Sequence, residues 1–154
     1  MIDQHVARLR SLAVDIKAAE ARLAKATVND PLVQHQLAYK GIGLVTAATI
    51  RAEIGRFDRF RTGKQMARFC GLTLRNASSG QRQADAGLIK AGNPQLRATL
   101  IETAHRLIRY DTRWKTMASE MKTRGKPGNL IAAAMASRWV LWVFHQADLP
   151  ALAV

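Results

Sequence analysis

Two stretches of the chain carry residues that could act on a phosphate. In "KGIGLVTAATI", residues 40–50, Gly41 and Gly43 stand one residue apart, directly before an apolar run. Glycine lets a main chain turn tightly and bring its N–H groups within hydrogen-bonding distance of a phosphate, and the positive end of a following helix reinforces the attraction. Lys40 adds a formal charge beside those amides. No base is read in this way, so such a contact positions a nucleic acid without selecting its sequence. The same spacing also serves a tight turn between packed helices, with Ala47 and Ala48 small enough for close approach. In "GLTLRNASSGQRQADAGLIKAG", residues 71–92, the cations Arg75, Arg82 and Lys90 surround Ser78 and Ser79, and Arg97 follows in the first turn of the next expected helix. A serine hydroxyl is a poor nucleophile unless a base or metal takes its proton and cations neutralise the phosphorane. Asp85 is the one carboxylate of the stretch, and a single carboxylate cannot hold a two-metal arrangement. Taken by itself, "SSG" reads as a flexible polar turn.

The elements that must position these residues read as helices. "IDQHVARLRSLAVDIKAAEARLAKA" repeats apolar residues at Ile2, Leu9, Ile16 and Leu23, with Val6 and Ala13 between them until Glu20 breaks the seam. This heptad pattern predicts a long N-terminal helix that packs on its own domain, pairs with a second copy or continues into a longer one, the last two being favoured. "NDP" at 29–31 stops it, and Pro31 suits the first turn of a short helix running towards Tyr39. The apolar run after Gly43 predicts a helix with Val45, Ala48 and Ile50 inward, ended by Gly55. A short helix, a hairpin centred on Gly41 and Gly43 and a second helix make the layout of a helix-hairpin-helix. Phe57 and Phe60 read as buried anchors, and Thr62 as the cap of a helix through Cys70. Residues 71–92 show no sustained period and read as a loop; a loop of that length within a domain is usually functional or disordered.

Asn93 and Pro94 supply a cap and a first-turn proline for a helix with Leu96, Leu100, Ala104, Leu107 and Ile108 on one face. Thr112 starts another helix, "RGKPGN" breaks it, and a last helix runs from about Leu130 to His145. Trp139, Trp142 and Phe144 lie in this most apolar helix and read as core, while Met117 and Met121, one turn apart, read as gap-fillers. Lys122, Arg124 and Lys126 form a basic loop open to phosphate, RNA or solvent. Strand-type alternation is absent, so the predicted fold is all-α, with residues 1–28 a coiled-coil-like helix and residues 29–148 a helical domain.

The charge balance points to a polyanion. Lys and Arg total 24 against 11 Asp and Glu, a formal net charge of +13 spread along all 154 residues. Nucleic acid offers a dense row of phosphates and releases counterions when Lys and Arg replace them. Cys70 is the single cysteine, which excludes an internal disulfide or a thiolate zinc site and favours a cytosolic home. His5, His35, His105 and His145 are scattered without ligand spacing, so no metal is assigned to the chain. Arg138 interrupts the most apolar segment, which is too short between charges to cross a bilayer, and the N-terminus lacks the apolar core of a signal peptide. The expectation is a soluble, nucleoid-associated protein of a bacterial cytoplasm with no membrane partner.

"KGIGLVTAATIRAEIG", "RFRTGKQMARFCGLTLRNASSG", "GLIKAGNPQLRATLIETA" and "RGKPGNLIAAAMASRWVLWVF" together resemble, in order and spacing, the C-terminal domain of insertion-sequence transposases of the DEDD type, over roughly residues 32–145. Members pair this domain with an N-terminal RuvC-like nuclease domain, and at least some are guided by a structured bridge RNA. The resemblance implies that Ser79, with Ser78 as the neighbouring alternative, is the nucleophile that bonds to a DNA phosphate during strand exchange. Read from the residues themselves, Lys40, Gly41, Gly43, Arg75, Arg82, Lys90 and Arg97 are the expected DNA contacts; the resemblance implies double-stranded DNA as a partner, and Mg²⁺ held by the four acidic residues of the RuvC-like domain, which have no counterpart here. The heptad pattern, independently, suits a homo-oligomer formed through the N-terminal helix. The family's hairpin usually begins with proline, where this chain has Lys40. The competing expectations are a non-catalytic helix-hairpin-helix module, as a truncated remnant or a regulator that competes for DNA, and an assembly module driven by the heptad helix.

Overall fold

The computed structural model describes residues 1–79, 82–88 and 91–147. Short polar side chains placed ahead of prolines set the helical frame. α1 spans Ile2–Thr27 and ends before Asp30, whose Oδ1 accepts from the amides of Leu32 (3.0 Å) and Val33 (3.2 Å) to cap α2, Pro31–Leu37. The other oxygen of Asp30 accepts from Arg51 Nε at 2.7 Å, tying the start of α2 to α3, Leu44–Ile54. A single 3-10 turn at Phe57–Arg59 follows, then α4, Gly63–Phe69, capped by Thr62 Oγ1 on the amide of Gln65 at 3.2 Å. α5 is Pro94–Tyr110, capped by Asn93; α6 is Thr112–Thr123, capped by Asp111; and α7 is Gly128–Ala147. The last helix starts two residues before the expected Leu130 and ends two after His145, because the Gly128-Asn129 pair joins its first turn.

The packed body is all-α, as composition and periodicity predict. α7 packs on α4, α5 and α6, and α3 lies against α2 and α5. Trp139, Met135, Ala136 and Val140 of α7 meet Leu96, Leu100, Ala104 and Leu107 of α5 and Ile50 and Ile54 of α3 in one buried cluster. Each large apolar side chain taken out of water in this way contributes about 1.5–3 kcal/mol. Trp139 is buried, and Phe57 and Phe144 are nearly so, in agreement with their reading as core. Phe60 and Trp142 are half-buried against that core. Val45 departs from the expected inward face of α3: it is 53% exposed, and Thr46 and Ala47 take the inward positions beside Ala48 and Ile50.

Residues 71–92 also differ from the expected loop. They carry an antiparallel pair, β1 (Leu74–Ser79) and β2 (Arg82–Leu88), with Asn76 opposite Asp85, Ala77 opposite Ala84, Ser78 opposite Gln83 and Ser79 opposite Arg82. A register shift between Leu74 and Asn76 bends the ladder near its base. Main-chain pairing makes this hairpin without the β-branched and aromatic residues that advertise a strand in sequence.

α1 packs on α3 without entering the buried core. None of its residues is buried, and Ile2, Leu9 and Ile16 of the heptad seam are 78%, 66% and 57% exposed. Its 26 residues extend roughly 39 Å.

Candidate nucleic-acid interface

The turn between α2 and α3 is built on two glycines with different constraints. Gly41 has φ +93°, a left-handed conformation that costs any residue bearing a Cβ, and a Cβ there would lie 3.2 Å from Arg106 Cβ and 3.3 Å from its carbonyl carbon. The turn therefore rests directly on the main chain of α5. Gly43 has φ −96° and ψ 171°, is exposed, and has nothing within 4 Å of where a Cβ would stand. It is the N-cap of α3, and no side chain caps that end. The first amides of a helix lack intrahelical acceptors, so this end presents free donors and the positive pole of the helix dipole.

Arg106, which the sequence did not single out, completes this end. Its Nη2 donates to Thr46 Oγ1 at 3.0 Å, which holds the guanidinium at the first turn of α3, and its Nε is buried with no hydrogen-bond partner. Lys40 is exposed one residue before Gly41. Lys40, Gly41, Gly43 and Arg106 thus make a concentrated positive end on α3.

α3 and α5 run antiparallel. At the other end of the pair, Asn93 Nδ2 donates to Glu53 Oε2 while Asn93 Oδ1 caps α5 through the amides of Gln95 (3.0 Å) and Leu96 (3.1 Å). Here the base of the β1–β2 hairpin is clamped. A Cβ on Gly92, at φ +104°, would lie 2.8 Å from Gly71 Cα, Gly71 N and Phe69 O, so the two chain segments leading into and out of the hairpin touch backbone to backbone. Asn93 N–H also reaches Phe69 O at 3.4 Å. Arg97 belongs to this base: a Cβ on Gly71 would lie 2.8 Å from Arg97 Nη1, which is buried and unpartnered. The thirteen residues of α5 from Pro94 to Arg106 span roughly 20 Å, which separates the glycine turn from the hairpin base.

The model described as "Transposase IS116/IS110/IS902 family" matches residues 36–119, from the end of α2 through most of α6. The chain belongs to this transposase family. A Pseudomonas aeruginosa protein described as "Probable family 20 transposase" is 32% identical to it, over 87% of this chain and 43% of the relative. The transposase for insertion sequence element IS1111A of Coxiella burnetii is 30% identical over 66% of this chain and 29% of its own length. The transposase for insertion sequence element IS1328 of Yersinia enterocolitica is 26% identical over 86% of this chain and 41% of its own. The chain spans less than half the length of each of these relatives.

The span matched to the transposase family holds both the glycine turn and the hairpin. Within it the sequence-predicted residues fall into two groups. Lys40, Gly41 and Gly43 converge at the turn, whereas Arg75, Ser78, Ser79 and Arg82 lie on the hairpin, with Ser79 and Arg82 opposite one another at the far end of the ladder and Arg75 at the register shift. Five residue steps of strand, roughly 17 Å, separate Leu74 from Ser79, and Arg97 sits at the base end of the hairpin. Lys90 lies outside the described residues. Arg106 was missed because it is more than sixty residues from the glycines, and no local pattern signals a contact made through α5.

Among the described residues no group of three or more His, Cys, Asp or Glu could hold a metal ion. No helix among them is long and apolar enough to cross a membrane. Cys70 is fully buried, and burial pushes its thiol up to about 12, against a weaker opposing pull from the Arg59 charge.

Proposed function

We propose that this chain is the DNA-binding, serine-bearing domain of an insertion-sequence transposase. The observation that carries the reading is the hairpin: Ser78 and Ser79 end a two-stranded ladder whose base is clamped by Gly71, Gly92 and Asn93 on the α3–α5 pair. A serine carried on such an arm can be brought to a DNA phosphate held elsewhere on the same chain. In this reading Ser79, or its neighbour Ser78, attacks a phosphodiester phosphorus. The new O–P bond forms as the DNA oxygen leaves, and a general base outside this chain takes the hydroxyl proton.

The glycine turn then serves as a helix-hairpin-helix grip. The free amides at the start of α3, with Lys40 and Arg106 beside them, bind a backbone phosphate without reading bases, and the hairpin base lies roughly 20 Å away along α5. Arg75, Arg82 and Lys90 act on the strand near the serine, and Arg97 near the hairpin base. A RuvC-like nuclease domain with its Mg²⁺ is the partner that supplies the acids missing here, and a structured guide RNA is a further partner. Residues 1–28 form a separate linking helix, whose exposed heptad seam pairs with a second copy, and residues 29–148 form the DNA-binding domain. The open end of α3 favours a second reading in which the chain grips DNA but does no chemistry.

The two readings part in one experiment. The chain is combined with a RuvC-like nuclease domain, Mg²⁺ and labelled insertion-sequence ends, and denaturing gels are read for a protein–DNA adduct. The proposal expects an adduct that Ser79→Ala abolishes while duplex binding stays near the parent value. An adduct or strand exchange that survives the Ser78→Ala/Ser79→Ala double substitution rules the serine out.

A further inference from the structure

A groove of about 620 Å³ lies between α4, α6 and α7, and no residue of the glycine turn lines it. Its floor is aliphatic, with Ala67 and Leu72 buried and Met121, Ala134 and Leu141 half-buried. Its rim carries three exposed cations, Lys64 and Arg68 on α4 and Arg138 on α7, and no carboxylate is among the described residues that line it. None of the three cations has an acidic partner among the described residues; Arg138 Nη1 rests 3.9 Å from Met117 Sδ. Thr73, at the lip, immediately precedes β1.

This combination selects its occupant. Unsatisfied positive charge at a rim calls for an anion, and an apolar floor excludes a ligand that is polar on every face. Duplex DNA shows a groove only its phosphates and sugars, with the bases stacked away. An unpaired strand shows both: a base can leave water for the face of Met121 and Leu141, while its phosphates reach the rim. Lys64 and Arg68 are four residues apart on α4, roughly 6 Å along the axis, about the step between successive phosphates of an extended strand.

We propose that this groove is a second nucleic-acid site, which holds an unpaired DNA strand and leads it to the base of the serine hairpin. The inference rests on reading that hairpin as the strand-exchange element, but its test reads binding alone. Fluorescence anisotropy with a labelled twenty-residue oligothymidylate and with a twenty-base-pair duplex, each titrated across a salt series, compares the parent with two variants. Lys64→Gln/Arg68→Gln/Arg138→Gln removes the rim, and Ala134→Leu narrows the floor; thermal melts confirm that both fold. The rim variant should weaken oligothymidylate binding about tenfold at moderate salt and reduce the slope of log K against log salt by about 2, since each phosphate contact on a single strand is worth roughly 0.7. Ala134→Leu should weaken oligothymidylate several-fold and leave the duplex unchanged.

Equal losses on both probes would mark a diffuse charge effect and overturn the proposal. So would parental oligothymidylate binding in both variants. Loss of an acidic amphipathic helical peptide, with oligothymidylate retained, would make the groove a protein-docking site and overturn it as well. Failure of the serine to form an adduct leaves this readout intact, so the two readings fail separately.

Discussion

Gly41 and Gly43 look equivalent in sequence, yet the structure predicts opposite consequences for replacing them. Alanine at 41 must hold φ near +93°, which costs about 1–2 kcal/mol. Its Cβ would also meet Arg106 Cβ, C and O at 3.2, 3.3 and 3.4 Å. These atoms sit in the next-to-last turn of α5, where Leu107 is buried in the core, so the helix cannot retreat at no cost; overpacking of this kind adds about 1 kcal/mol at the low end of its range. The expected loss is about 2–3 kcal/mol, or a fall in Tm of roughly 4–12 °C for a chain of this size. Alanine at 43 keeps an extended φ of −96° with open space around it, and loses only the N-cap preference of glycine, about 0.5 kcal/mol. Calorimetric melts of the two single variants measure this difference. Duplex affinity from salt titrations should show the reverse order relative to stability, with Gly43→Ala impaired while folded, because its methyl group stands at the free amides. A Gly41→Ala variant within about 0.5 kcal/mol of the parent, or a Gly43→Ala variant as unstable as Gly41→Ala, would refute the division of roles.

Cys70 should resist alkylation by a thiol reagent at pH 8 in the native state and react on unfolding, because burial holds its thiol protonated up to about 12. The unfolded chain loses that proton near its ordinary value of 9.0 while the fold retains it, so stability falls as pH rises from there towards about 12; a Tm that is flat across this window in the parent and in Cys70→Ala alike would contradict the assignment. Leu9→Glu/Ile16→Glu, on the exposed seam of α1, should convert a dimer to a monomer in sedimentation equilibrium without lowering Tm of the helical domain, and a parent that is already monomeric across the micromolar range would remove α1 from assembly.

The sequence by itself determined the helical frame, because caps, first-turn prolines and apolar periodicity act within a few residues. Asp30-Pro31, Thr62 and Asn93-Pro94 start helices where their oxygens meet free amides, and Leu96, Leu100, Ala104 and Leu107 all turn to the core. It also determined that a strongly basic chain carries a glycine turn at the head of a helix. The hairpin escaped it, since residues 74–88 have none of the β-branched or aromatic side chains of an ordinary strand. Val45 escaped it too, because the face that α3 buries is set by where α2 and α5 lie and not by the apolar run alone. Only the tertiary structure decided that Gly41 leans on α5 while Gly43 stays open, that Arg106 reaches Thr46, and that Arg97 sits at the hairpin base and Ser79 at the far end of its ladder. Each of these depends on groups far apart in the chain that meet through packing, and packing distances leave no periodicity in the residues that will share them.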